Sequence, residues 1–131
     1  MRPNTIAKSL AIGNPADGYY TLKIMSDTDG AGAAVSDDEV IEGIRLLAES
    51  EGIFAETAGG VTIAGLRQLV QQERVGPDEL VVACVTGAGL KTQEAVADVL
   101  PPPLSVKPSV ESFEAALLER HGGKSPATTP S

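Results

Sequence analysis

The hydrophobic pattern of this chain centres on one uninterrupted apolar run, residues 80–85, which is followed by Thr86-Gly87-Ala88-Gly89-Leu90-Lys91. A Val-rich run of this length, bounded by turn residues, is typical of a β-strand that is buried on both faces. Ligands of open α/β sheets bind just beyond the carboxyl ends of such strands. The pattern therefore predicts a central strand with Thr86 at a candidate site. A tight strand-to-helix turn without a ligand fits the spacing equally well.

Helical periodicity surrounds this run. Ser36-Asp37-Asp38-Glu39 has the pattern of a capping box, in which the Ser hydroxyl and the Glu carboxylate each accept a hydrogen bond from the other residue's backbone N–H. The apolar residues that follow fall at helical spacing and predict one buried helix face that ends at Gly52. Further helices are predicted over residues 5–12, 17–26, 61–73, 92–99 and 109–120, with a brief extended piece at residues 53–55.

The alternation of helices with short strands predicts an α/β fold. One strand is well supported and two or three others are short, which is few for a self-contained parallel sheet. Residues 1–100 are expected to form the main domain, because Leu100-Pro101-Pro102-Pro103 interrupts regular structure. Residues 101–121 form a predicted extension with one helix, and residues 122–131 a predicted disordered tail.

Composition excludes several function classes. A net charge of −8 and only two Tyr, two Phe and no Trp argue against binding to nucleic acid. A single cysteine, Cys84, is expected to be a small buried core residue, and with the single His121 it provides neither a disulfide nor a zinc cluster. No metal site and no catalytic residue is predicted. With no spanning apolar run and no signal peptide before Arg2, the predicted location is cytoplasmic, without membrane contact.

Three blocks of sequence together resemble threonine synthase, a pyridoxal-phosphate enzyme of the tryptophan-synthase-β type. They occur in the order and spacing of that family and resemble its C-terminal third, over about residues 1–100. The resemblance implies part of a doubly wound sheet of the fold type II pyridoxal-phosphate enzymes. The blocks are Arg2-Pro3-Asn4-Thr5-Ile6-Ala7 with Ile12-Gly13-Asn14-Pro15, Glu51-Gly52-Ile53-Phe54-Ala55-Glu56-Thr57-Ala58-Gly59-Gly60-Val61-Thr62, and Val85-Thr86-Gly87-Ala88-Gly89-Leu90-Lys91.

The resemblance also implies a reaction and a set of site residues. The family converts O-phospho-L-homoserine and water to L-threonine and phosphate, with pyridoxal phosphate as cofactor. By this resemblance Thr86 hydrogen-bonds the pyridine nitrogen, Glu56 lies near the cofactor ring, and Gly87 also contacts the cofactor. Asn14 is the candidate at the substrate cleft. The family commonly has Asn or His at the position of Ala88.

The 131 residues contain neither the family's S-F-K-D segment with its Schiff-base lysine nor its glycine-rich phosphate loop. We therefore expect the chain to be inactive alone. It would be a fragment of the enzyme or one half of a split enzyme, completed by an N-terminal partner chain or segment, with a homodimer plausible for the full enzyme. Two alternatives stay open. One is a non-catalytic α/β module that binds a ligand or complements a partner. The other is a fragment of threonine dehydratase or cysteine synthase, which usually place Ser or Cys near the pyridine nitrogen.

Overall fold

The structure is a computed structural model that describes residues 2–122. This part of the chain contains four α-helices: α1 (Gly18–Asp27), α2 (Asp37–Glu51), α3 (Thr57–Gln71) and α4 (Val110–Arg120). Short 3₁₀ turns occur at Lys8–Leu10, Gly89–Lys91 and Gln93–Ala95. Residues 2–122 contain no β-strand, only an isolated antiparallel bridge between Ala55 and Ala88. The chain divides into two compact units at the junction of Asp98 and Val99.

The first unit is built on α2. Its capping box is present as predicted: the Ser36 side chain accepts a hydrogen bond from the Glu39 backbone N–H, and the Glu39 carboxylate accepts one from the Ser36 backbone N–H. Three acidic residues occupy the first turn, where they complement the positive end of the helix dipole. The helix ends at Gly52, whose φ of +70° is the left-handed conformation that favours glycine. The sequence prediction of this helix is confirmed.

Helices α2 and α3 pack closely because glycines meet at their contact. A Cβ added to Gly43 would lie 2.5 Å from the carbonyl oxygen of Gly60, and one added to Gly60 would lie 2.5 Å from the carbonyl oxygen of Val40. Val40, Ile44 and Val96 form the buried hydrophobic cluster beside this contact. The core of this unit is therefore a helical pair with a short apolar segment from the 3₁₀ region.

The amino-terminal residues are attached to the start of α2 by polar contacts. The Thr5 hydroxyl donates to the Asp37 carboxylate, and the Ile6 backbone N–H donates to the same carboxylate at 3.2 Å. Ile6 packs against the hydrophobic cluster and Ala7 is buried. Asp37 thus attaches the first sequence block to α2, the helix that carries Val40 and Ile44 of the hydrophobic cluster.

Four local predictions are wrong in this structure. The run at residues 80–85 forms no β-strand, and Leu80 and Val82 are 96% and 81% exposed. Cys84 is exposed rather than buried. The predicted helices at residues 5–12 and 92–99 are reduced to 3₁₀ turns. A strand buried on both faces needs neighbouring strands and covering layers, and residues 2–122 place none beside this run, so the doubly wound sheet is not confirmed.

The other predicted helices are present with shifted ends. Helix α3 begins at Thr57, four residues before the predicted start, and α1 runs from Gly18 with its aromatic face exposed. In the second unit, Ser109 caps α4 by accepting a hydrogen bond from the Ser112 backbone N–H at 3.2 Å. The predicted disordered tail lies almost wholly outside the described residues. No helix within residues 2–122 is long and apolar enough to cross a membrane.

Candidate functional site

A short backbone bridge brings together two of the three sequence blocks. The Glu56 backbone N–H donates to the Gly87 carbonyl at 3.0 Å, and the Gly89 backbone N–H donates to the Phe54 carbonyl at 2.9 Å. These two bonds form the antiparallel bridge centred on Ala55 and Ala88. Residues more than 30 positions apart in the sequence are thereby fixed side by side, at the end of the apolar run.

The Glu56 side chain is turned into this junction. Its carboxylate oxygen Oε2 lies 2.9 Å from Lys91 Nζ, and the Glu56 side chain is only 7% exposed, whereas that of Lys91 is 64% exposed. A Cβ added to Gly87 would collide with the Glu56 carboxylate. A larger residue at Gly87 would therefore displace the Glu56 carboxylate from its buried position beside Lys91.

The start of α3 is held against the same segment. The Thr57 backbone N–H donates to the Thr92 hydroxyl at 3.1 Å, which satisfies one of the free donors of the helix N-terminus. Thr57 is fully buried, and its own hydroxyl has no hydrogen-bond partner in the part of the chain that the structure describes. Two residues further on, Gly59 approaches Ala55 and Val85 closely. These contacts hold the start of α3 against the junction.

Thr86 lies at the open side of the junction. It is exposed, and it stands between the half-buried Val85 and the half-buried Gly87. Within residues 2–122 its hydroxyl forms no hydrogen bond. The structure therefore places the buried Glu56 carboxylate against Gly87, and the exposed Thr86 is the residue just before Gly87 in the chain.

The fourth predicted site residue is not part of this group. Asn14 lies in the exposed bend before Pro15, and among the described residues no hydrogen bond or ion pair links it to Glu56, Thr86 or Gly87. The structure links Glu56 to Gly87, which follows Thr86 in the chain, and shows no such link for Asn14 among the described residues.

Sequence reasoning missed two residues of the junction. Lys91 and Thr92 were assigned no contact, although Lys91 pairs with Glu56 and Thr92 anchors α3. A signal for the first was present: Glu56 and Lys91 are oppositely charged residues in two blocks that the family resemblance joins. Nothing in the local pattern around Thr92 indicates its contact with a residue 35 positions away.

The comparisons with known proteins agree with these blocks. The sequence model of the family described as pyridoxal-phosphate dependent enzyme matches residues 1–87. This match covers well over half of the chain, and the chain belongs to this family of enzymes, whose cofactor is pyridoxal phosphate.

Within this family, the chain is similar in sequence to several threonine synthases. The chain is 35% identical over 117 residues to the threonine synthase of Methanocaldococcus jannaschii, a match that covers 89% of this chain and 29% of the relative. It is 40% identical over 89 residues to that of Bacillus sp. (strain ULM1), covering 68% and 25%. It is 34% identical over 120 residues to that of Mycobacterium tuberculosis (strain ATCC 25618 / H37Rv), covering 92% and 32%.

The resemblance to threonine synthase that the sequence motifs indicate is therefore confirmed. The chain spans less than a third of the length of these relatives.

Proposed function

We propose that this chain forms one wall of the pyridoxal-phosphate site of a threonine synthase. The observation that carries the proposal is the junction itself, where the buried Glu56 carboxylate lies over Gly87 and the exposed Thr86 hydroxyl stands beside it. Members of the family use pyridoxal phosphate, and the Thr86 hydroxyl and the Glu56 carboxylate have the chemistry to lie along one edge of its ring. A hydroxyl can donate a hydrogen bond to a ring nitrogen, and it carries no charge of its own.

Each residue has a separate role in this proposal. Pyridoxal phosphate, when bound, withdraws electrons from the carbon next to the amino group of the substrate. Thr86 holds the ring nitrogen by its hydroxyl and does not protonate it, because a neutral donor leaves the proton on its own oxygen. Glu56 would lie beside the cofactor ring, and Gly87 would allow the ring to approach the backbone. Asn14 would border the substrate cleft once the remaining walls are present.

Residues outside these 131 complete the site in this proposal. The chain corresponds to 25–32% of its relatives, and the Schiff-base lysine and phosphate loop that the resemblance implies would come from the rest. The same residues would supply strands beside residues 80–85 and so cover Leu80 and Val82. The proposed substrate is O-phospho-L-homoserine, the products are L-threonine and phosphate, and the chain alone is inactive.

A chimera tests this function. The chain replaces the segment that it matches in the threonine synthase of Methanocaldococcus jannaschii, and the purified chimera is assayed for pyridoxal-phosphate content and for threonine released from O-phospho-L-homoserine. We expect a cofactor-containing, active chimera and no threonine release by the 131-residue chain alone. Two matched variants accompany the chimera: Thr86→Ser keeps the hydroxyl, and Thr86→Val replaces it with a methyl group of similar size.

The variants separate the proposed role from simple loss of folding. The Ser variant should retain cofactor and most activity, whereas the Val variant should lose activity while it keeps the same unfolding temperature. Threonine release by the chain alone would contradict the requirement for outside residues. A folded chimera without cofactor would instead favour the alternative, a non-catalytic module that complements a partner.

A further inference from the structure

Lys91 has no part in the function proposed above, yet it is the polar partner of the most enclosed carboxylate in the described junction. The Nζ to Oε2 distance of 2.9 Å is that of a charge-assisted hydrogen bond. The carboxylate side of the pair is buried and the ammonium side is mostly open to solvent. Such an arrangement keeps the lysine hydrated while it neutralises a charge that has little access to water.

Backbone hydrogen bonds fix the position of Lys91 in the junction. Lys91 ends the 3₁₀ turn Gly89–Lys91, in which its N–H donates to the Ala88 carbonyl at 3.1 Å. The Gly89 N–H is in turn bonded to the Phe54 carbonyl. Because the turn is bonded to Phe54, two residues before Glu56, the backbone of Lys91 starts close to the carboxylate.

The charge of Glu56 matters for its neighbour. A carboxylate within a few ångströms of a ring nitrogen favours the protonated, cationic ring, since opposite charges stabilise each other. A neutral hydroxyl such as that of Thr86 exerts no such effect. Glu56 and Thr86 would therefore have opposite effects on the protonation of the ring nitrogen unless the charge of Glu56 is compensated.

We propose that Lys91 is a positioning residue, which holds the Glu56 carboxylate over Gly87 and compensates its charge so that the Thr86 hydroxyl alone governs the ring nitrogen. This inference rests on the proposed function for its second half. Its first half, that Lys91 holds Glu56 in place, concerns only residues of this chain and is independent of any cofactor. Lys91 acts through Glu56 and takes no part in bond making or breaking.

The first test uses the 131-residue chain without cofactor. Thermal unfolding, followed by circular dichroism at 222 nm, is compared for the single variants Glu56→Gln and Lys91→Met and for the double variant. We expect each single variant to lower the midpoint by about 5 °C and the double variant to fall no further than the larger single effect. Lys91→Arg should restore the midpoint.

The matched control is Lys23→Met, which removes a lysine from the exposed ion pair with Asp27. Its midpoint should stay within about 1 °C of the wild type. Strictly additive effects of Glu56→Gln and Lys91→Met would overturn the inference, whether or not the proposed function holds, because an intact pair must be coupled.

The second test reads the ring nitrogen directly. Chimeras of the design above are loaded with ¹⁵N-pyridoxal phosphate, and the pyridine ¹⁵N chemical shift is followed by NMR as a function of pH. Lys91→Met should move the shift towards the protonated ring, with Lys23→Met unchanged and Lys91→Arg restored. Identical shifts in all four proteins would overturn the charge compensation. If the wild-type chimera holds no cofactor, the proposed function fails. The unfolding measurements on the single and double variants still decide whether Lys91 holds Glu56.

Discussion

The contact between α2 and α3 gives the sharpest stability prediction, because one methyl group at Gly60 has no room. A Cβ there would lie 2.5 Å from the Val40 carbonyl oxygen, 2.7 Å from Ile44 Cγ1 and 3.0 Å from Val40 Cγ1. The nearest of these atoms is backbone, so it cannot rotate away as a side chain does. Gly60→Ala therefore requires the two helices to separate, which loosens the hydrophobic cluster around Val40 and Ile44.

Two opposing terms set the magnitude. Alanine is favoured over glycine in a helix interior by about 0.8–1.0 kcal/mol, whereas overpacking a close contact costs about 1–3 kcal/mol. Because the obstruction is a helix backbone, we expect the cost to be about 3 kcal/mol. Gly60→Ala should then lower the free energy of unfolding by about 2 kcal/mol, which corresponds to a fall of roughly 8–16 °C in midpoint.

Gly65 provides the control within the same helix. A Cβ at Gly65 would meet only Ala33 Cβ, at an ordinary contact distance of 3.8 Å. Gly65→Ala should therefore raise the free energy of unfolding by about 0.5–1 kcal/mol through helix propensity alone. Urea unfolding followed by circular dichroism measures both variants. The account of the interface is refuted if Gly60→Ala is as stable as Gly65→Ala.

Three further predictions concern the cap and the junction. Ser36→Ala removes the side-chain cap of α2 and should lower the free energy of unfolding by about 1 kcal/mol in urea melts; an unchanged value would contradict it. The Ser36 backbone N–H, with Gln68, holds the pKa of Glu39 below its ordinary 4.5, so its contribution to stability is complete above pH 4.5 and is lost as pH falls through the lowered pKa. NMR titration should give that lowered midpoint, and Glu39→Gln should remove this part of the acid dependence; a midpoint at or above 4.5 refutes it. Gly87→Ala should displace the Glu56 carboxylate and cost about 1–3 kcal/mol, and a wild-type melting curve would disprove the close approach.

Local chemistry explains what the sequence predicts well. The capping box, the apolar spacing after it and Gly52 all lie within 17 consecutive residues, and each acts through neighbours in sequence. Ser109 and α4 were predicted for the same reason. The earlier start of α3 follows from a contact that no local pattern contains, the bond from the Thr57 N–H to the Thr92 hydroxyl.

The apolar run at residues 80–85 illustrates the opposite case. Its composition is typical of a strand with apolar neighbours on both faces, yet Leu80 and Val82 are exposed in the structure. The hydrophobic pattern indicates that a segment is buried in the folded protein, but the burial itself depends on other segments that pack against it. We infer that these partners belong to the larger part of the relatives' length that this chain does not span.

The candidate site lies between these cases. Motif resemblance selected Glu56, Thr86 and Gly87 from blocks about 30 residues apart, and the bridge of Ala55 with Ala88 brings those blocks into contact. The resemblance could not show that Gly87 lies against the Glu56 carboxylate or that Lys91 pairs with it, because both follow from side-chain packing across the bridge. Their contact with the cofactor stays a prediction.

The central claim is that the Thr86 side of this junction faces the ring nitrogen of pyridoxal phosphate. A crystal structure of the cofactor-loaded chimera measures this contact directly. We expect a distance of about 2.7–3.1 Å between Thr86 Oγ1 and the ring nitrogen, with the Glu56 carboxylate still paired with Lys91. A ring nitrogen that is bonded to another side chain, with Thr86 beyond hydrogen-bond distance, would contradict it.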